Sequence, residues 1–280
     1  HRDLHSFPTR RSSDLTAVAG ISIGAINAAL IAGNAPGERV ARLREFWERV
    51  SSAFPEPYWT PDGYVHRWLN SLAATQAVFF GVPGFFTPRI PPAPLQPPAS
   101  LAAISYYDTT PLKGTLERLI DFERLNSGEV RLAVGAVNVS TGNQSYFDSA
   151  KQRLDVRHIM ASGALPPGFA PVEIDGEFYW DGGLASNTPI NYMAEQPCSG
   201  HRPAFQVDLF PARGLYPTTM ELVAEREKDI RYSSRSRFNT NMGLARRRAA
   251  AALGGRGVSP ARRRARARGR LSRRARCLSA

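Results

Sequence analysis

The chain has 280 residues, 42% of them hydrophobic, and a mean hydropathy of −0.30. That is ample for one or two packed domains, and it excludes both a polytopic membrane protein and a wholly disordered chain. The formal net charge of +12 invites a nucleic-acid partner until it is located: thirteen Arg and no Asp or Glu fall between Arg246 and Ala280, which leaves 23 of the 36 basic residues against all 24 acidic ones elsewhere. The pI near 10.4 therefore describes a tail. That tail has no aromatic residue to stack on bases, so no specific nucleic-acid partner is expected. The two cysteines, Cys198 and Cys277, are too few for a disulfide framework, and no Cys/His cluster points to a metal.

Residues 1–15 carry no amphipathic pattern and no apolar run before a small-residue cleavage site. They read as a non-native leader rather than a secretory signal, and a cytoplasmic location is expected. Thr16 to Ala35 is nearly uncharged and about as long as the ~20 residues of a membrane helix. Its Gly20, Ser22, Gly24, Asn27, Gly33 and Asn34 fit better a buried strand over Ala17–Ala19, a tight turn, and a buried helix over Ile23–Ala32 that ends on left-handed Gly33 and Asn34. A second helix, Glu38 to Val50, places Val40, Leu43, Phe46 or Trp47, and Val50 on one face.

Ten prolines between Pro55 and Pro98 break up residues 51–110, and Phe79, Phe80, Phe85 and Phe86 sit among them. This segment reads either as a binding surface with four exposed phenylalanines or as an irregular cover for the core. Strands follow at Val130–Val139 and Gln144–Phe147, joined by the turn Ser140–Asn143. Asn138 and Asn143 match glycosylation acceptors by chance. Val172–Ile174 and Glu177–Trp180 flank Asp175-Gly176, a strong hairpin signal. A strand is expected at Ala204–Phe210 and a charged helix at Thr218–Ile230. The main domain then spans 16–245, and an Arg-rich, disordered tail spans 246–280. Strands interleaved with helices define an α/β layered class.

Gly20-Ile21-Ser22-Ile23-Gly24 is G-x-S-x-G between an apolar strand and a helix. A serine on such a turn projects its hydroxyl away from the backbone, and flanking glycines remove clashing Cβ atoms. The helix N-terminus adds positive potential where negative charge develops in acyl transfer. The alternative is a glycine-relieved turn in an Ala-rich core segment. A nucleophilic serine needs a base. His66, His158 and His201 are available, and Asp181 competes with them at the end of the hairpin, before Gly182-Gly183.

These motifs resemble the patatin-like phospholipase family. The G-x-S-x-G around Ser22, the block Ala161-Ser162-Gly163-Ala164-Leu165-Pro166-Pro167-Gly168, the Asp181-Gly182-Gly183 run and the following Leu184-Ala185-Ser186-Asn187-Thr188-Pro189 occur in the family's order. The resemblance covers roughly residues 16–241. It implies a three-layer α/β/α sandwich around a mostly parallel sheet, and hydrolysis of acyl lipids or phospholipids by a Ser–Asp dyad without cofactor or metal. Ser22 then becomes the nucleophile and Asp181 the proton acceptor, with Gly20, Gly24, Gly182 and Gly183 as backbone motif positions. It also implies contact with a membrane surface and leaves the oligomeric state open. The dyad needs an Asp181 more basic than the ~3.9 of a free aspartate, and Trp180 and the glycine pair are expected to dry its surroundings. The family's glycine-rich oxyanion loop has no counterpart before Ser22, so the chain reads as N-terminally truncated with weak turnover expected.

Two other readings compete. An α/β-hydrolase triad would use Ser22, Asp181 and His201, but that fold needs several strands ahead of the nucleophile. A catalytically dead, lipid-binding relative would keep the fold and lose the turnover.

Overall fold

A computed structural model describes residues 15–51, 77–186, 188–195 and 204–256. Residues 1–14 of the leader, residues 52–76 with His66, Asn187, residues 196–203 with Cys198 and His201, and the tail beyond Arg256 lie outside the described residues.

The chain divides into two compact units, 1–189 and 190–280. In the first, strand β1 (Ala17–Ile21) leads through Ser22 into helix α1 (Ile23–Ala32), and α2 (Arg39–Ser51) follows. The short strands β2 (Thr87–Pro88) and β3 (Tyr107–Asp108) pair with each other, and α3 (Thr110–Leu119) and α4 (Phe122–Asn126) lead to β4 (Arg131–Asn138). Next come β5 (Gln144–Asp148), α5 (Val156–Ser162), β6 (Val172–Ile174) and β7 (Glu177–Asp181).

β4 is the spine. Every residue from Leu132 to Asn138 is buried, as its apolar run requires. On one face Leu132, Val134 and Ala136 join a single core with Ala25, Ile26 and Leu30 of α1, Leu116 and Leu119 of α3, and Ile159 of α5. Each fully buried Leu there contributes about 2–3 kcal/mol. The sheet order is β1-β4-β7-β6, with β5 also on β4. The α/β class is as expected, but the sheet is mixed: β1 runs parallel to β4, and the β4–β5, β4–β7 and β6–β7 pairings are antiparallel. The reason is the connections. Strands joined by tight turns, at 139–143 and at Asp175-Gly176, must run antiparallel, whereas the long helical passage from β1 to β4 permits a parallel pair.

One feature of the register decides the site. β5 pairs with Ala133–Val137 and so occupies one edge of β4. β1 pairs with Arg131–Gly135 and β7 with Ala136–Asn138, so both must use the other edge. β1 ends with Ile21 opposite Gly135, and β7 ends with Asp181 opposite Ala136. Two strands running in opposite directions thus meet end to end on one edge of β4.

Several local expectations hold: the bounds of α1, the hairpin with Asp175 at φ 52° and Gly176 at φ 83°, and the strands flanking it. Others do not. Gly33 ends α1 at φ −87°, not left-handed. Its hydrogen leaves room for Ile120, whose Cγ2 would lie 2.6 Å from a Cβ there, while the Asn34 amide donates to Leu30 O and Leu119 O at 2.9 Å each. Val40 is exposed, and the inward face of α2 is built from Phe46 with Leu43 and Val50.

The second unit holds α6 (Ile190–Glu195) and the long α7 (Met220–Arg256), packed on each other. Arg246 Nη1 lies 2.9 Å from Glu195 Oε1, and Phe210 stacks on Tyr232 at 4.6 Å. α7 runs past residue 245, so the Arg-rich stretch is helical as far as Arg256. The strand expected at Ala204–Phe210 is irregular: Phe205, Val207 and Leu209 are exposed and no described strand pairs with them.

Candidate active site

Ser22 stands between β1 and α1 at φ 57°, ψ −128°, a conformation that L-residues rarely adopt and that costs on the order of 1–3 kcal/mol. The turn is sharp because α1 folds straight back over β1. A Cβ at position 20 would run into the Gly24 carbonyl, so the first glycine of the motif is a steric necessity. A Cβ at Gly24 would meet nothing within 4 Å, so the second glycine borders open space.

A serine at a helix N-cap ordinarily turns its hydroxyl onto the second or third backbone N–H. Ser22 makes no such bond. Its hydroxyl instead lies within hydrogen-bonding reach of the Asp181 carboxylate, the two brought alongside by the meeting of β1 and β7. Asp181 is 3% exposed. Its Oδ1 also accepts the Gly183 N–H at 2.7 Å, and its own N–H donates to Ala164 O at 2.9 Å. Burial pushes the Asp181 carboxyl above the ordinary carboxylate value, against the hydrogen bonds from Ser22 and Gly183 that hold it down. The net shift is upward.

The dry setting is not made by Trp180 as expected. Successive side chains on a strand face opposite sides, and Trp180 pairs with Val137 while Asp181 pairs with Ala136, so the indole lies on the other face of the sheet. At Gly182 the backbone approaches a neighbouring group closely, as expected of the glycine pair: a Cβ there would lie 2.5 Å from Gly135 O. Among the described residues, Ser22 is the side chain whose hydrogen bonding lowers the Asp181 carboxyl; His66 and His201 lie outside the described residues. His158 is buried in the capping box of α5, where Nδ1 accepts the Asp155 N–H at 3.0 Å and the ring packs edge-on against Phe147 at 4.8 Å. It is a structural histidine.

Of the four phenylalanines, Phe79 and Phe80 are 70% and 77% exposed. Phe85 and Phe86 are not: they join Phe46, Tyr107 and Phe169 in a cluster with ring centroids 4.6–6.5 Å apart. The expected surface of four is a pair, and the other two anchor it to the core. Among the described residues no group of three or more His, Cys, Asp or Glu could hold a metal ion, and no helix is long and apolar enough to cross a membrane.

The fold and this serine turn define an α/β protein with a serine at a sharp strand-to-helix turn. The family model for patatin-like phospholipase matches residues 8–194, and the chain belongs to that family. Among solved structures it is similar to VipD from Legionella pneumophila, at 15% identity and a TM-score of 0.31, over 63% of this chain and 42% of VipD. The chain thus corresponds to less than half of the VipD chain. No curated protein sequence matches it significantly.

Proposed function

We propose that the protein hydrolyses carboxylic esters of acyl lipids through a Ser22–Asp181 dyad and an acyl-enzyme intermediate. The observation that carries this reading is the strained Ser22, whose hydroxyl does not cap its own helix and lies within reach of a buried carboxylate raised above its ordinary value. Ser22 Oγ attacks the ester carbonyl carbon as its proton passes to Asp181. The carbonyl π electrons move to oxygen, and the oxyanion forms next to the N–H groups of Ile23 and Gly24, which open α1. Collapse breaks the ester C–O bond, and Asp181 returns the proton to the departing alcohol. Water then attacks the acyl-serine, again giving its proton to Asp181, and Ser22 leaves protonated with release of the fatty acid. A carboxyl raised above its ordinary value suits both transfers better than a free aspartate.

The same reading gives the surface around Phe79 a role. Arg89 is the only charged residue between Ala77 and Tyr107, and Phe79, Phe80, Ile90 and Leu95 are each at least 70% exposed. The segment is tied to the loop after α5 by Tyr106 N to Pro167 O at 3.2 Å and Tyr107 N to Gly168 O at 3.0 Å. An apolar surface with so little charge, held this way, fits an aggregated lipid interface. The experiment is fluorophosphonate labelling and ester hydrolysis by the full chain. Labelling confined to Ser22, and turnover lost in Ser22→Ala, is expected. Labelling that persists in Ser22→Ala would overturn the assignment.

A further inference from the structure

The Ser22 N–H points at a side chain that the dyad chemistry does not itself use. It donates to Ser162, at 3.0 Å to the hydroxyl oxygen and 3.1 Å to the backbone carbonyl. The Ser162 hydroxyl donates in turn to Gly135 O at 2.6 Å. Ser162 is 0% exposed and closes α5. Two residues on, Ala164 O accepts the Asp181 N–H at 2.9 Å. One short turn at the end of α5 therefore holds the backbone of both dyad members, and Gly135, its acceptor, lies opposite Ile21.

We infer that Ser162 is a positioning residue for the dyad, its hydroxyl pinning the Ser22 N–H to β4 so that the strained turn keeps the Ser22 hydroxyl on Asp181. The inference rests on the Ser22–Asp181 reading. The physical argument is that an unfavourable backbone persists only where its surroundings over-determine it. The Ser22 carbonyl is held by the N–H groups of Ala25 and Ile26 at 2.9 and 3.3 Å, so the helix fixes one side of the residue. Ser162 fixes the other. Without its hydroxyl, Ser22 N keeps only the longer bond to Ser162 O, and the buried Gly135 carbonyl loses this donor. A buried serine that merely satisfies a carbonyl would affect stability but not the rate of a folded molecule.

The test measures the second-order rate of fluorophosphonate labelling at Ser22, per folded molecule and well below the melting temperature, in the wild type, Ser162→Ala and the near-isosteric Ser162→Cys. Misplacing a reacting atom by about 1 Å can cost on the order of 100-fold. We expect labelling and kcat to fall roughly 10- to 100-fold in Ser162→Ala, with KM for a short ester unchanged and Ser162→Cys intermediate. If Ser162→Ala does not fold, the cysteine variant carries the test alone. Wild-type rates in the folded variants, with only a lower melting temperature, would overturn the positioning role. A wild-type protein that does not label at Ser22 would overturn the dyad reading itself and this role with it.

Discussion

The turn at Ser22 and the segment from Ala77 to Tyr107 are both poor in charge and rich in glycine or proline, yet they are organised in opposite ways. At Ser22 both backbone groups are tied, the N–H to Ser162 and the carbonyl to α1, and the hydroxyl lies within reach of Asp181, itself held by Gly183 and Ala164. Between Ala77 and Tyr107 the inner residues Phe85 and Phe86 pack on Phe169, while Phe79, Phe80, Ile90 and Leu95 are left to solvent. The first region spends its interactions on geometry, the second on a surface. Substitutions in the first should act on the chemical step whatever the substrate's physical state. Those in the second should act only on substrate presented at an interface.

The largest effect belongs to the dyad. Ser22→Ala and Asp181→Asn should each lower kcat by at least about 10³-fold on soluble and vesicular esters alike, because an amide cannot take the serine proton. A variant that lost only vesicle activity would erase the distinction between the two regions. Gly20→Ala comes next: its methyl has nowhere to go but into the Gly24 carbonyl, and a loss of about 3 kcal/mol or more in denaturant unfolding is expected. Gly24→Ala, in open space, should be far milder.

Changing Phe79 and Phe80 together to Ser should lower activity on neutral phosphatidylcholine vesicles about tenfold, corresponding to roughly 1.4 kcal/mol of lost interfacial binding, and leave a short soluble ester within about twofold. The same change at Phe85 and Phe86 should destabilise the fold instead. Equal losses on both substrates for the Phe79/Phe80 variant would make that pair ordinary packing.

The smallest effect is one of sign. The folded Asp181 carboxyl sits above its unfolded value of 3.8. Between the unfolded and folded values the folded state holds more protons, so stability falls as pH rises through that window, and above it the carboxylate is a standing cost. Asp181→Asn should therefore melt at or slightly above the wild-type temperature at neutral pH while losing turnover. The acid limb of kcat/KM should lie above pH 3.8. A melting temperature several degrees lower in Asp181→Asn would mean that the charged carboxylate stabilises the fold.

What could be read from the sequence was local. The strand–turn–helix around Ser22 and the Asp175-Gly176 hairpin are written in neighbouring residues, and the buried run of β4 in its composition. The role of Ser162 was not readable from residue type, because a buried serine shows its partners only after α5 is laid against β1 and β4. The expected wall at Trp180 failed on strand alternation, which a hairpin reading already contains but which matters only once Asp181 is paired with Ala136. Phe79, Phe80, Phe85 and Phe86 look alike in sequence. What separates them is contact with Phe169 and Tyr107, which lie far along the chain. The strand expected at Ala204–Phe210 had apolar content, but Phe205, Val207 and Leu209 are exposed and no described strand pairs with them.

The central claim is that Ser22 and Asp181 act together without a histidine. Mass spectrometry of the fluorophosphonate adduct tests it directly across the wild type, Asp181→Asn and His201→Ala. The account expects a single adduct on the peptide carrying Ser22, at the wild-type rate in His201→Ala and at least about 10³-fold slower in Asp181→Asn. An adduct that forms equally fast in Asp181→Asn, or that disappears in His201→Ala, would contradict it.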